Sequence, residues 1–229
     1  MFQLDMRVAT NDGFGNHSLM LLRSLENALI PLRCVFCGTR THEPEDYICT
    51  GCDGDLPRLQ SPPPAETSPL RYEIAVLAYK FPVDAAIKAF KFQRRLFYAP
   101  AFAQLLCAAS DALPDDVDAV LPVPLHWRRK WFRGFNQALE IGKPVARHLG
   151  VPVIQSIARR RATAFQSGLS ARERASNLRS AFVLRTPPAC RHVLVVDDVI
   201  TTGTTVRQIA RVLKRAGVAR VSALAVARA

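Results

Sequence analysis

Two groups of residues in this 229-residue chain have types and spacing suited to chemistry. The first is the run 193–205, VLVVDDVITTGTT. Four apolar residues lead into Asp197 and Asp198, then a short apolar step, then Thr201, Thr202, Gly203, Thr204 and Thr205. Residues 206–216 have helical spacing, so the run reads as buried strand, loop and helix start. The first N–H groups of a helix have no partner within it and its dipole favours an anion, so the Gly/Thr turn is a phosphate cradle. Asp197 and Asp198 cannot face a phosphate comfortably. They suit sugar hydroxyls, whose hydrogen bonds they accept, or a magnesium ion or its water shell. A ribose beside a 5′-phosphate satisfies both halves of the run. The Lys of GxxxxGK[ST] is missing, which disfavours a nucleoside triphosphatase. As a mere strand and cap, the run would carry two acids directly after a Val run without a use to offset their cost.

The second group is Cys34, Cys37, Cys49 and Cys52, two C-x-x-C pairs separated by 11 residues. Each pair sets two thiolates on one side of a tight turn, and tetrahedral zinc takes two such pairs, as in a zinc ribbon or knuckle. A disulfide pair or a remnant without metal is the alternative. His42 is a conceivable substitute ligand, but with four thiols available it reads as a surface residue. Four protein ligands close a site, so this zinc would staple a small module instead of reacting. Cys107 and Cys190 stand alone in apolar surroundings and read as inert small hydrophobes.

The elements that must position these groups follow from the pattern. Residues 1–17 are polar and aperiodic and are expected to be disordered; 18–60 hold a short helix (19–30) and the four-cysteine module; 61–70 are a Pro-rich linker; 71–229 form the main domain. Strands are expected at 72–79, 118–121, 151–156, 181–184, 193–196 and 218–227, the last closing the sheet. Helices are expected at Val83–Phe92, 97–112 and, capped by Asn136 and stopped by Gly150, to about 149. Alternating strands and helices predict an α/β fold with a parallel, doubly wound sheet and a ligand at the carboxyl ends of its strands.

Composition narrows the partners. Hydrophobic content of 49% and charged content of 22% are globular values. The net charge is +12, and between His126 and Arg185 there are 13 Lys or Arg against Glu140 and Glu173. An anionic partner follows, whether pyrophosphate, nucleic acid or both, with a solvated basic face as the plainer reading. No stretch has the length of a transmembrane helix, and Asp5, Asn11 and Asp12 stand where a signal peptide would be basic then apolar. No membrane insertion is expected, and the chain is expected in a reducing cytoplasm, where thiols favour metal over disulfides.

The run from Asp197 to Thr205 resembles the phosphoribosyl pyrophosphate (PRPP) loop of type I phosphoribosyltransferases. The four-cysteine module, then LPVPLHWRRKWFRGFNQA, RRRATAFQSGLSARERASNLRSAF and VVDDVITTGTT, in this order, are similar to the ComF/GntX family of phosphoribosyltransferase-domain proteins. The resemblance implies PRPP or another ribose 5-phosphate ligand, with magnesium bridging pyrophosphate and ribose hydroxyls at Asp197 and Asp198, the catalytic acids. It implies a pyrophosphate loop at Arg133, Gly134, Asn136 and Gln137, where Arg133 pairs with the anion and Gly134 admits backbone approach. It places Arg161, Gln166, Arg172 and Asn177 on a mobile loop that closes over PRPP. The reaction it implies is attack on the anomeric carbon with loss of pyrophosphate, to an acceptor that the sequence does not name. Thr201 stands where some relatives carry an acid that acts on a purine, which argues against purine salvage. A hood over the base is expected within 72–112. The family's association with DNA uptake in competence implies a second role, binding single-stranded DNA through Trp127, Trp131, Phe132 and the Arg block, with PRPP as regulator. A third is a scaffold that docks a competence ATPase or helicase through the zinc module.

Overall fold

The computed structural model describes residues 33–41, 46–60, 64, 66–114, 116–125, 131–159 and 181–229. Along them run α1 (Thr50–Asp55), β1 (Glu73–Ala78), α2 (Val83–Phe92), α3 (Tyr98–Ser110), β2 (Ala119–Pro122), α4 (Gln137–His148), β3 (Ile157–Arg159), β4 (Phe182–Leu184), β5 (His192–Ile200), α5 (Thr204–Arg215) and β6 (Arg220–Arg228). The strands β1, β6, β5 and β2 lie in that order in one parallel sheet. The inner strands β5 and β6 are near-continuous apolar runs because both of their faces are covered. On one face, Leu194, Val196, Leu224 and Val226 pack with α2 (Val83, Ile87, Phe90), α3 (Phe102, Leu106) and α4 (Ile141, Val145). On the other, Val193, Val195, Val221 and Ala223 meet Val206, Ile209 and Leu213 of α5, with Ile157 and Phe182. The expected parallel, doubly wound α/β architecture is borne out.

Four local expectations are corrected. The last strand does not close the sheet: β6 lies between β1 and β5, because its alternating Val and Ala residues can be buried on both sides. The strand expected at 151–156 is reduced to one parallel bridge, Val153 beside Val120. The strand at 181–184 does not join the main sheet but pairs antiparallel with β3, which was not expected. Most relevant to function, β5 does not stop at Val196. Asp197 pairs with Ala225 and Val199 with Ala227, so both acids sit on the strand itself.

The cysteine module is packed onto the main core. Cys34, Ile48 and Leu56 belong to the same buried cluster as Phe102 and Leu106 of α3, and Phe36 lies 6.4 Å from the Tyr98 ring. Residues 57–59 then run antiparallel along β1, Leu59 N–H donating to Val76 O at 2.9 Å and Ala78 N–H to Pro57 O at 2.8 Å. That covers an otherwise open sheet edge. No helix among the described residues is long and apolar enough to cross a membrane. The expectations for residues 1–30, His42, the Pro-rich 61–63, Trp127 and the basic 128–130, and Arg161, Gln166, Arg172 and Asn177 lie outside the described residues.

Candidate phosphosugar site and four-cysteine cluster

All four sheet strands are parallel, so their carboxyl ends share one edge, and Asp197 and Asp198 stand there on β5. Successive residues of a strand point to opposite faces. Asp198 is buried and its Oδ1 lies 2.8 Å from Lys91 Nζ, at the end of α2. Asp197 accepts a hydrogen bond from the Asp198 N–H at 2.9 Å. Burial first, then the neighbouring Asp198 charge, push the Asp197 carboxyl up to about 8, against the attraction of Lys91 and, more weakly, of Arg159 on β3. Two adjacent acids thus share few cations.

The strand hands over to α5 through Thr201, Thr202 and Gly203. Gly203 is the residue before the helix, with φ +71°, a left-handed conformation that disfavours any side chain. Thr202 and Thr204 hydroxyls lie 2.7 Å apart, and Thr204 and Thr205, both half-buried, begin the first turn of α5. The predicted loop residues are therefore brought together at a helix N-terminus at the carboxyl edge. Arg207, one turn into α5, folds back so that Nη2 donates to Thr202 O, while Nη1 donates to Glu73 Oε2 at 2.8 Å. Glu73 is 6% exposed and also accepts from Arg228 Nη2 at 2.9 Å, so one buried carboxylate anchors two guanidiniums beside the loop.

The segment predicted as a pyrophosphate loop follows β2. The Arg133 guanidinium carbon lies 5.0 Å from the centre of the Phe92 ring, and its Nη1 donates to Gln137 Oε1 at 3.2 Å. Gly134 is exposed with φ +81°. Asn136 precedes α4 as expected but makes no side-chain cap; its Nδ2 instead donates to Val123 O at 3.1 Å, tying the helix start to the exit of β2. Asn136 Oδ1 and Gln137 Nε2 are buried with no hydrogen-bond partner among the described residues.

Sequence reading missed Lys91, Arg207, Glu73, Arg159 and Arg228 as site residues. A signal existed for Lys91: it follows Val83 and Ile87 at four-residue steps, on the stripe of α2 that is buried. Arg207, Glu73 and Arg228 offered none, since they meet only through the sheet.

The four cysteine sulfurs lie within 4.8 Å of one another, with Cys37 Sγ and Cys49 Sγ 3.6 Å apart. Zn–S bonds of about 2.3 Å in a tetrahedron place sulfurs about 3.8 Å apart, so the cluster fits zinc. Gly38, with φ +75°, lets its N–H donate back to Cys34 O at 2.9 Å, and Cys52 N–H donates to Cys49 Sγ at 3.4 Å. Hydrogen bonds from Thr39 hold the Cys37 thiol down at about 6. Burial pushes Cys107 and Cys190 up, away from reactivity.

Residues 136–229 match the family model described as a phosphoribosyl transferase domain. The DNA utilization protein YhgH of Salmonella typhi is 40% identical over 195 residues, covering 82% of this chain and 80% of that protein. Competence protein F of Haemophilus influenzae is 32% identical over 225 residues, covering 86% of this chain and 97% of that one. Among solved structures, adenine phosphoribosyltransferase from Saccharomyces cerevisiae matches at 20% identity and a TM-score of 0.30, over 60% of this chain and 68% of that chain. With the parallel α/β sheet, the matched domain and the four cysteines ahead of it, the chain belongs to the ComF/GntX family of phosphoribosyltransferase-domain proteins.

Proposed function

We propose that the chain binds PRPP at the carboxyl edge of the sheet and transfers its phosphoribosyl group to an acceptor. The single observation that carries this reading is the joining of Asp197 and Asp198, at the end of β5, to the Gly203 turn and the N-terminus of α5. The 5′-phosphate takes the N–H groups of Thr204 and Thr205 and the Thr202 hydroxyl. The ribose hydroxyls donate to Asp197 and Asp198. The pyrophosphate lies toward Arg133 and Gly134. Carboxylate oxygens beside sugar hydroxyls are the donor set a hard cation prefers, so Asp197 and Asp198 would hold magnesium, which when bound offsets the pyrophosphate charge. The acceptor attacks the anomeric carbon, the C1–O bond breaks, and pyrophosphate leaves with the bonding pair. The protein contributes position and electrostatic stabilisation. Calorimetric titration with PRPP and magnesium tests the reading. Saturable binding is expected, weakened by roughly tenfold or more in Asp198→Ala. Normal affinity in that variant would remove the site assignment.

A specific observation favours a second role. Phe92, Phe97, Trp131 and Phe132 are exposed, from 50% to 87%, and Arg94 Nη2 donates to Phe132 O at 2.9 Å, so the turn after α2 meets the aromatic segment after β2. Such a surface suits stacking of single-stranded DNA with phosphate contacts, in keeping with the relatives' names. PRPP would then act as a regulator. Binding of an oligonucleotide that weakens steeply with added salt is expected; salt-insensitive binding would exclude the phosphate-contact version. The cysteine cluster is proposed to hold one structural zinc, measurable as metal per chain, and its face to dock a competence ATPase partner.

A further inference from the structure

We propose that Lys91 is the residue that reads the pyrophosphate of the ligand, waiting on Asp198 until that ligand arrives; this rests on the PRPP reading above. Three placements carry it. The ammonium lies 2.8 Å from Asp198 Oδ1, with 18% and 10% of the two side chains exposed, so the pair is largely withdrawn from water. Lys91 shares a helix stripe with Val83 and Ile87, both fully buried, and that stripe aims it at the sheet's carboxyl edge. The adjoining Phe92 supports the Arg133 guanidinium, and Arg94 bonds to Phe132 O, so the end of α2 is tied to the segment predicted to take pyrophosphate. Lys91 therefore stands between the sugar acids and the pyrophosphate segment.

A pair this far from water gains little over apolar packing, because desolvation offsets the attraction. Its value lies in being exchangeable. Ribose hydroxyls donate to Asp198 when the ligand enters and so replace the ammonium there. The flexible four-carbon stem of Lys91 then lets the ammonium move to a phosphoryl oxygen without any shift of α2. No bond is made or broken in this step; a cation changes partners. The same pair keeps Asp198 matched in the empty site, so the acids need no other counter-ion while the donor is absent. Because the 5′-phosphate sits at the other end of the ribose, on α5, Lys91 distinguishes a ligand with pyrophosphate from one without.

The full chain is titrated by calorimetry with PRPP and with ribose 5-phosphate, each with magnesium, for the wild type, Lys91→Met and Lys91→Arg. Expected in Lys91→Met is a loss of roughly tenfold or more in PRPP affinity, with ribose 5-phosphate affinity not weakened and much of the PRPP loss restored in Lys91→Arg. Equal weakening for both ligands, or no change for either, would overturn the proposal and mark the pair as a staple for α2. If Lys91→Met does not fold, Lys91→Gln is read by the same ratio. A wild type that binds neither ligand would overturn the site reading itself, whereas a wild type that binds both with no Lys91 dependence overturns only the role of Lys91.

Discussion

At the amino end of the sheet His192 is completely buried, its Nδ1 2.5 Å from Asp116 Oδ1 and its Nε2 2.8 Å from Ser222 Oγ. Arg220 closes on the other Asp116 oxygen at 2.8 Å, and Asp118 accepts from the N–H groups of Arg191 and His192 at 2.6 and 2.7 Å. At the carboxyl end, two adjacent acids share Lys91, and buried amide atoms of Asn136 and Gln137 lack partners among the described residues. A serine, a histidine and an aspartate in line at the first end would suggest nucleophilic chemistry, yet Ser222 and His192 admit no substrate because neither has any exposed surface. The carboxyl end instead leaves Thr201, Thr202 and Gly134 exposed, where a ligand can reach them. That difference in access favours the carboxyl end over the amino end as the place for a ligand, where residue types alone would not decide.

The contrast extends to proton affinity, with opposite signs. Hydrogen bonds from His192 hold the Asp116 and Asp118 carboxyls below their ordinary range. Their stabilisation is present above the unfolded value near 4 and is lost as pH falls through the folded values. Asp197 is pushed up to about 8, so the folded state binds its proton more tightly than the unfolded chain does. Its contribution is therefore greatest in acid and falls as pH rises from about 4 to about 8.

The strongest way to break the comparison is His192→Ala. It empties a buried site and strands Asp116 and Ser222, and should lower unfolding free energy by about 3 kcal/mol in a urea titration. PRPP affinity of the folded protein should remain unchanged, and a lost affinity with intact stability would reverse the roles of the two ends. Next in size is Gly203→Ala. A Cβ there meets Arg207 Nη1 at 2.6 Å on a left-handed backbone, costing about 1–2 kcal/mol. Because the strain falls on the turn proposed to hold the 5′-phosphate, ribose 5-phosphate binding should weaken together with the melting temperature. Asp197→Asn should stabilise the free protein by roughly 1 kcal/mol at pH 8 and by less at pH 5. A gain independent of pH would mean that Asp197 does not retain its proton. The smallest expected effect is Asp118→Asn, which should lower stability slightly from about pH 4 upward, pH 8 included, and flatten the further loss of stability below about pH 4. Thermal melts across that range separate the last two variants.

Local signals made much of this legible. The periodicity of 83–92 places α2 at Val83–Phe92, and the Gly/Thr turn after a Val run locates β5 and α5. The two C-x-x-C pairs identify their own cluster, because ligand spacing is a local property. Where expectation failed, a neighbour outweighed the segment. Residues 151–156 have strand character but find only Val120 to pair with, and the 182–184 segment is drawn to β3 by burial of Phe182 and Ile157. Asn136 looks like a helix cap and is engaged by Val123 O instead.

The sequence by itself determined the class of fold, the family and the Gly/Thr turn between β5 and α5, since these depend on hydrophobic period and on motifs read within a few positions of one another. Only the tertiary structure decided the electrostatics of the site. That Lys91 meets Asp198, that Glu73 holds Arg207 over the turn, and that β5 carries its acids on the strand all depend on contacts between distant segments. Charges act through space and burial, and neither is written in the order of residues along the chain.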